Sequence, residues 1–417
     1  MINKKQIIIS AYTVCPDRGS ESGLSWNWIK GISKYYYIHL ITSTEYKNQL
    51  EKGISTNNLN NIKVYFNDIG KKATIMGKNQ GDWRFYYYYN RWQKKTFKIA
   101  QNICNSNEII LAHQLNMIGF REPGYLWKLK LPTLWGPIGG LDIDPPKLDE
   151  ISNFKHRLRY KLSKIQLKYF PNIINAFKQF NKILIAASDY NSIIKREISM
   201  GPFTVESDTG VLPKSNKKIK KDNNEIFQIL WVGKDVYRKR LDLALRSISK
   251  LDKSLKIKLV IVGIEKKSNG YKKYEDIINK LNISDKITWK GRVTNSEVNN
   301  LMLQSDLFLF TSISEAASTV VMEAINSQLP VLCFDLCGMK DIVIPDVGIK
   351  INPNETNQSI KDFSNSILHL YNDRNLLNKF SENCITYREQ LTYPNKVIRM
   401  LKYYEDAINN FQKNKNV

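Results

Sequence analysis

The chain is poor in the residues that build disulfide frameworks and metal clusters: its 417 residues include five cysteines and four histidines. Cys15, Cys104, Cys333, Cys337 and Cys384 are scattered, odd in number and without C-x2-C spacing, which argues against a disulfide scaffold and against a structural zinc site. Long apolar runs are missing as well. No stretch nears the roughly 18 apolar residues needed to cross a bilayer, and Met-Ile-Asn-Lys-Lys leads into a short strand rather than a signal-peptide core, so a cytoplasmic protein is expected. Acidic residues are scarce beside basic ones, 39 against 63, leaving a formal charge of +24. The deficit is uneven: residues 1–200 carry 14 Asp and Glu against 30 Lys and Arg, and residues 201–417 carry 25 against 33. The first half should therefore attract an anion, either nucleic acid or a membrane surface with its lipid-linked sugar phosphates.

What is present is a repeated rhythm of short apolar runs followed by turn residues and helical patterns, over a length natural for two domains of about 200 residues each. Residues 307–310 (LFLF) and 331–334 (VLCF) read as buried parallel strands. Between them lies a helix with Val320, Val321, Ala324 and Ile325 on one face. Glu315 sits where the first of these strands ends, and Glu323 lies about two turns into the helix. The small residues Ala316, Ala317, Ser318 and Thr319 leave the amides of the helix N-terminus open to an anion, and a carboxylate further along can accept hydrogen bonds from paired sugar hydroxyls. A second concentration of charge follows the strand at 227–232: Lys234, Arg238 and Lys239 converge near a helix N-terminus, chemistry suited to a diphosphate. Asp142 and Asp144 form a D-x-D triplet, read as a solvated loop.

These stretches resemble the retaining GT-B glycosyltransferases, in particular glycosyltransferase family 4 (glycosyl transferases group 1), the large family that builds capsular, exopolysaccharide and lipopolysaccharide glycans. The resemblance rests on Glu315, seven residues, then Glu323 in EAINSQLPV, continuing into Cys333-Phe-Asp-Leu-Cys-Gly338, where Cys337 stands at a usual glycine. Gly233-Lys-Asp-Val-Tyr-Arg-Lys-Arg-Leu-Asp242 is similar to the family's G-R-L-x-x-R-K-G-x-D, with Lys234 in place of an arginine and Arg240 in place of a glycine. Trp135-Gly136-Pro-Ile-Gly139-Gly140 and Pro16-Asp-Arg-Gly19-Ser20-Glu21 before Trp26-x-Trp28, where a helix is expected to begin near Leu24, look like two further family loops.

The resemblance implies an α/β GT-B fold, two Rossmann-like domains facing a central cleft, with a C-terminal helix crossing back. Expected boundaries are 1–205 for the acceptor-side domain, 206–390 for the nucleotide-sugar domain and 391–417 for the crossing helix. Lys239 would hold phosphate with Lys234 and Arg238; Glu323 would hold the ribose and Glu315 the donor sugar. The loop Gly291-Arg292-Val293 would line the base, and His113, at the end of the strand at 109–112, would face the sugar from the other domain. Gly19, Ser20 and Glu21, with Gly136, Gly139 and Gly140, would form acceptor and cleft loops; Asp17 and Glu21 serve either acceptor hydroxyls or as helix caps. No metal and no other cofactor are expected. The implied partners are a nucleotide sugar and a glycan or lipid-linked acceptor, with an anionic membrane surface also possible and no nucleic acid.

Two amphipathic segments bear on that surface. In residues 82–101 Phe85, Tyr88, Tyr89, Trp92 and Thr96 interleave with Arg84, Arg91, Lys94, Lys95 and Lys98. In 153–180, a helix that Pro171 should break, Phe154, Leu158, Leu162, Ile165 and Tyr169 share a helical face beside Lys155, Arg157, Arg159, Lys161, Lys164 and Lys168. Each suits either a membrane interface or, respectively, core packing and a solvated charged face. Two other functions remain open: a nucleotide-sugar epimerase of the same architecture, which would turn over without an acceptor, and a basic nucleic-acid-binding protein, which would explain the charge but shows no recognition motif.

Overall fold

The apolar runs become two parallel sheets. The computed structural model describes residues 4–78, 84–142, 154–214, 226–266 and 268–415. In the first half β1 (Gln6–Ala11), β2 (Tyr37–Thr42), β3 (Ile62–Phe66), β4 (Ile109–Asn116), β5 (Thr133–Ile138), β6 (Lys182–Ile185) and β7 (Thr204–Val205) lie in the order β3-β2-β1-β4-β5-β6-β7. In the second, β8 (Phe227–Val232), β9 (Ile257–Val262), β10 (Ile287–Gly291), β11 (Leu307–Phe310), β12 (Val331–Phe334) and β13 (Gly348–Ile351) lie in the order β10-β9-β8-β11-β12-β13. Each strand pair is parallel, the pairing that buries both faces and so accommodates runs such as IKLVIV and VLCF with little alternation. Helices cover both faces of the first sheet, one face packing Trp135, Phe177 and Tyr190 and the other Trp26, Trp28 and Tyr404.

Strand order reverses between β1 and β4 in the first sheet and between β8 and β11 in the second. In open parallel sheets the crevice at such a reversal, outside the carboxyl ends of the strands, is where ligands bind. The loops leaving β1, β4, β8 and β11 carry most of the residues singled out by motif.

The junction between the halves is built on buried charge. Glu206, just past β7, is only 5% exposed, and Lys396, 1% exposed, forms an ion pair with it. Arg399 Nε donates to Glu206 Oε2 at 2.7 Å, and Lys396 Nζ reaches Ser207 Oγ at 2.6 Å. Both cations belong to the last helix, Tyr393–Lys415, which crosses back to pack on helix Ser20–Ile32 and on β4, β5 and β6. Gly31 permits this crossing, because a Cβ there would lie 2.5 Å from Val397 Cγ2. The chain between the halves is pinned beside it by reciprocal backbone hydrogen bonds of Val211 with Leu391 and Tyr393. Of the charged stretch 214–224, only Lys214 lies within the described residues.

One local expectation changes and two others are decided. The first helix begins at Ser20, not near Leu24, with Gly19 as its extended cap. Gly23 therefore belongs to the helix, where a Cβ would lie 2.0 Å from the Arg18 carbonyl oxygen. The aromatic stripe of helix Arg84–Ser106 is core: Phe85, Tyr89 and Trp92 are buried and pack edge-on against Tyr12. Pro171 breaks one helix by opening the next, Pro171–Gln179, at a position where its missing N–H costs nothing.

Candidate active site in the interdomain cleft

On the second domain, the loops after β8 and β11 are stitched together. Ile313 N donates to the Arg238 carbonyl at 2.9 Å and Thr311 Oγ1 to the Lys239 carbonyl at 2.9 Å. This places Glu315 against two cations, for its Oε1 pairs with both Arg238 and Lys239 while Ser312 Oγ approaches it at 3.0 Å. Burial alone would raise the Glu315 carboxyl, but Lys239 and Arg238 outweigh it and hold it below its ordinary value. Burial wins at Lys239, whose ammonium is pushed down despite Glu315. Lys234 adds a third positive charge at the same loop and lowers Lys239 further. Three cations facing one carboxylate leave an excess of positive charge, and an anion would complete the site.

Helix Thr319–Asn326 begins shortly after Glu315 in the chain, with Ser318 as an extended cap that makes no side-chain cap bond. Thr319 Oγ1 lies 3.0 Å from Thr209 Oγ1 of the interdomain connection. Glu323, about one turn along, is half-buried; burial raises its carboxyl and Lys214 draws it back. Gly291 closes β10 with φ +71°, a conformation natural to glycine, and its carbonyl accepts from Gly263 N at 2.7 Å. Arg292 is exposed and Val293 half-buried on the loop that follows. The structure thus gathers Arg238, Lys239 and Glu315 into one contact set, with Ser318 and Thr319 on the adjoining loop and helix.

The first domain meets this surface through its glycine loop. A Cβ on Gly139 would lie 2.8 Å from Ala316 Cβ, so what approaches that backbone is the other domain. Gly136 and Gly139 are buried, and Gly140, at φ +75°, is half-buried, which corrects the expectation of an exposed ligand cradle. The Asp142 carboxyl is likewise no solvated loop residue: it accepts from Ser314 Oγ at 3.0 Å and Cys337 Sγ at 3.2 Å across the cleft. Asp144 lies outside the described residues. Cys337 holds φ +52°, the left-handed conformation for which glycine is usual, and the close approach falls instead on Gly338, whose Cβ would lie 2.3 Å from the Ala316 carbonyl oxygen.

His113 is placed differently from the expectation that it faces a sugar. It is wholly buried, with Nδ1 2.8 Å from Tyr404 Oη and Nε2 2.7 Å from the Gly136 carbonyl oxygen. Both ring nitrogens are occupied, so in this structure the residue ties the crossing helix to the glycine loop and offers no free nitrogen to a ligand. In the loop after β1, Gly19 and Ser20 are exposed at the start of the first helix, while Glu21 turns inward and accepts from Ile118 N at 2.6 Å. The sequence reading missed Asp208, which is 6% exposed and whose backbone carbonyl accepts from Trp28 Nε1 at 2.8 Å. No motif marks it; only its place beside Thr209 and Gly210 in the connection hinted at a role.

The apolar stripe of helix Phe154–Tyr169 faces solvent: Leu158, Leu162, Ile165 and Tyr169 are 45%, 50%, 49% and 62% exposed. Arg159, Lys161 and Lys168 are exposed beside it, while the side chains of residues 154–157 lie outside those described.

With that geometry in place, residues 213–386 match the family Glycosyl transferases group 1. The segment that carries the Arg238–Lys239–Glu315 cluster is thus similar to a glycosyl transferases group 1 domain. The fold of the chain is that of solved GT-B proteins: the lipopolysaccharide outer core galactosyltransferase WaaB in its apo form superposes with a TM-score of 0.67 at 13% identity, over 97% of this chain and 99% of that one. The Anabaena protein HepE, solved in complex with UDP and glucose, gives a TM-score of 0.59 at 13% identity, over 95% of this chain and 98% of that one. Among curated proteins, the lipopolysaccharide glucosyltransferase WaaG of Escherichia coli K12 is 34% identical over 123 residues, 29% of this chain and 30% of its own. The matched segments span about half or less of three such relatives, at 49%, 30% and 51%.

Burial pushes the His113 imidazole down to about 4. A histidine neutral in the fold and free to charge when unfolded lends stability above its unfolded pKa and loses it as pH falls from about 6.5 to 4, worth roughly 3 kcal/mol. Glu21 and Asp208, raised by burial, act with the opposite sign over that range. Urea unfolding of wild type and His113→Gln at pH 7 and pH 4 isolates the histidine: the loss on acidification should be smaller in the variant by that amount. Equal losses would contradict a buried neutral imidazole.

Proposed function

We propose that the protein is a glycosyltransferase that moves a sugar from a nucleoside diphosphate donor to a hydroxyl of a glycan acceptor in polysaccharide or lipopolysaccharide-type synthesis, with retention at the anomeric carbon. The observation that carries this reading is the Arg238–Lys239–Glu315 cluster at the N-terminus of helix Thr319–Asn326, within the matched family domain. Lys239, Arg238 and Lys234, with the amides at Ser318 and Thr319, would receive the diphosphate and stabilise the charge that builds on it as the glycosidic bond breaks. Glu315 keeps the two cations in place and would meet the donor sugar; Glu323 would take the ribose, and the Gly291–Val293 loop the base. HepE, solved with UDP and glucose, supports a uridine nucleotide as the first donor to try. Because cations already fill the charge-neutralising role, no resident metal is expected. The family match favours this reading over an epimerase or a nucleic-acid binder.

The exposed stripe Leu158–Leu162–Ile165–Tyr169, flanked by Arg159, Lys161 and Lys168, would rest on the anionic cytoplasmic face of a membrane, where a lipid-linked acceptor would be found. Among the described residues no helix is long and apolar enough to cross that membrane.

A thermal-shift titration with UDP, GDP, ADP and CMP tests the donor site, since a ligand that binds only the native state raises the melting temperature. One nucleoside diphosphate should raise it, with or without EDTA, and the shift should vanish in Glu323→Ala and Lys239→Ala. Indifference to all four, together with tight salt-sensitive DNA binding, would overturn the reading. For the surface, sedimentation with phosphatidylglycerol vesicles should be strong for wild type and weak for Leu162→Glu; equal sedimentation of the two would remove the helix from the account.

A further inference from the structure

One cation of the first domain is held rigid and left partly unused. Arg121 follows β4 and lies against helix Phe154–Tyr169, where its Nε donates to Gln166 Oε1 at 2.9 Å and its Nη2 to Ser163 Oγ at 2.5 Å. The guanidinium also covers the Phe120 ring, 4.7 Å from the centroid. These contacts fix the plane of the fork. The third nitrogen, Nη1, has no hydrogen-bond partner among the described residues and lies beside the glycine loop, 3.7 Å from where a Cβ on Gly140 would stand. A guanidinium with two nitrogens anchored and one free is preorganised for a phosphate oxygen, because little side-chain freedom is left to lose.

The charges around it call for an anion. Burial lowers the Arg121 guanidinium, the Tyr86 hydroxyl draws it back, and Arg159, exposed on the same helix, lowers it again. No carboxylate is among the groups that act on it. Glu122, next in the chain, is raised by burial to about 7, which leaves a large part of it neutral at physiological pH. Two like charges held near each other without a carboxylate are stabilised by an anion between them. Arg159, Ser163 and Gln166 follow at helical spacing on the strip that adjoins Leu158, Leu162 and Ile165, so both guanidiniums border the exposed apolar face. The other border is the cleft: Gly139, just before Gly140, packs against Ala316, the residue after Glu315. Tyr160 of the same helix lies near enough to Tyr237, which precedes Arg238 and Lys239, for its charge to act there. A ligand reaching from the apolar face past the two guanidiniums therefore arrives at the loops that carry the cation cluster.

Resting on the transferase reading, we propose that Arg121 and Arg159 hold the phosphate of a lipid-linked acceptor, with its hydrocarbon chain on the Leu158–Leu162–Ile165 face and its sugar directed along the Gly139–Gly140 loop toward Glu315. Arg121 Nη1 supplies the oriented donor and Arg159 a mobile one. The phosphate stays intact: no bond to it forms or breaks, and the two arginines position the acceptor rather than react with it. An acceptor without the phosphate, or with the phosphate on a soluble alcohol, would lose one of its two anchors.

The probe is decaprenyl phosphate in phosphatidylcholine vesicles, with phosphatidylcholine–phosphatidylglycerol vesicles of matched charge as the reference, and binding is read by sedimentation of the full-length protein. Arg121→Gln should bind the decaprenyl phosphate vesicles about tenfold more weakly than wild type, the size of one lost hydrogen bond to a charged group. Its binding to the phosphatidylglycerol vesicles should change by no more than about twofold, as for a single charge near a surface. Arg159→Gln, at an exposed position where folding is not at stake, should weaken decaprenyl phosphate binding in the same direction, and both variants should keep the nucleotide-induced melting shift. Equal binding of the decaprenyl phosphate vesicles by wild type and both variants would overturn the site. So would an equal loss on the two kinds of vesicle, which would mark a general attraction to anionic lipid. Should Arg121→Gln fail to fold, Arg159→Gln decides between these outcomes. A wild type that no nucleoside diphosphate stabilises would overturn the donor reading and the acceptor role with it, even where the phosphate is bound.

Discussion

Glu206 and Lys396 carry charge into a place almost closed to water, with Arg399 reaching Glu206 from the partly exposed edge, and such charge is tolerated only when fully paired. Removing one partner would strand the other, at a cost of about 3–5 kcal/mol. The consequence is geometric: the chain leaving the first sheet and the helix crossing back to it are held at one point. From there the connection can only run through Asp208 and Thr209 to the donor helix, and the crossing helix can only bring Tyr404 under His113. Domain spacing, the glycine loop and the cleft walls follow from that lock.

Within the cleft, charge is arranged by opposition. The Arg238–Lys239–Glu315 side holds more cations than carboxylates, whereas the opposite side holds Glu21 and Asp208 in surroundings that favour their neutral forms. An incoming diphosphate would be drawn to one side and an uncharged hydroxyl to the other. Asp142, bonded to Ser314 and Cys337, holds the two sides together. Close backbone contact at Gly139 and Gly338, both against Ala316, leaves little room for a side chain at either position.

Much of this was legible in the sequence because parallel strands buried on both faces need nearly continuous apolar runs, and β1, β4, β8, β11 and β12 announce themselves so. Their exit loops, where an open parallel sheet must place a ligand, could then be read for charge and small residues. The structure joins Arg238, Lys239 and Glu315 although the two loops lie far apart in the chain, Arg238 Nη1 donating to the Ser314 carbonyl across 76 positions. Pairings across far longer separations were not legible. Lys396 meets Glu206 across 190 positions and His113 meets Tyr404 across 291, and nothing local distinguishes a lysine that will be buried from one that will be solvated. The start of the first helix was misplaced because Gly19 and Gly23 look alike in sequence, yet one caps the helix and the other admits the Arg18 carbonyl. The aromatic stripe of helix Arg84–Ser106 stayed open between core and membrane for a related reason: periodicity gives the face, not what covers it.

A crystal structure of the protein with UDP tests the central claim most directly. The account predicts the diphosphate within hydrogen-bond distance of Lys239 Nζ and of the amides at Ser318 and Thr319, with the ribose hydroxyls on Glu323. A diphosphate bound elsewhere, with Glu315 still closing Lys239 and Arg238, would contradict it.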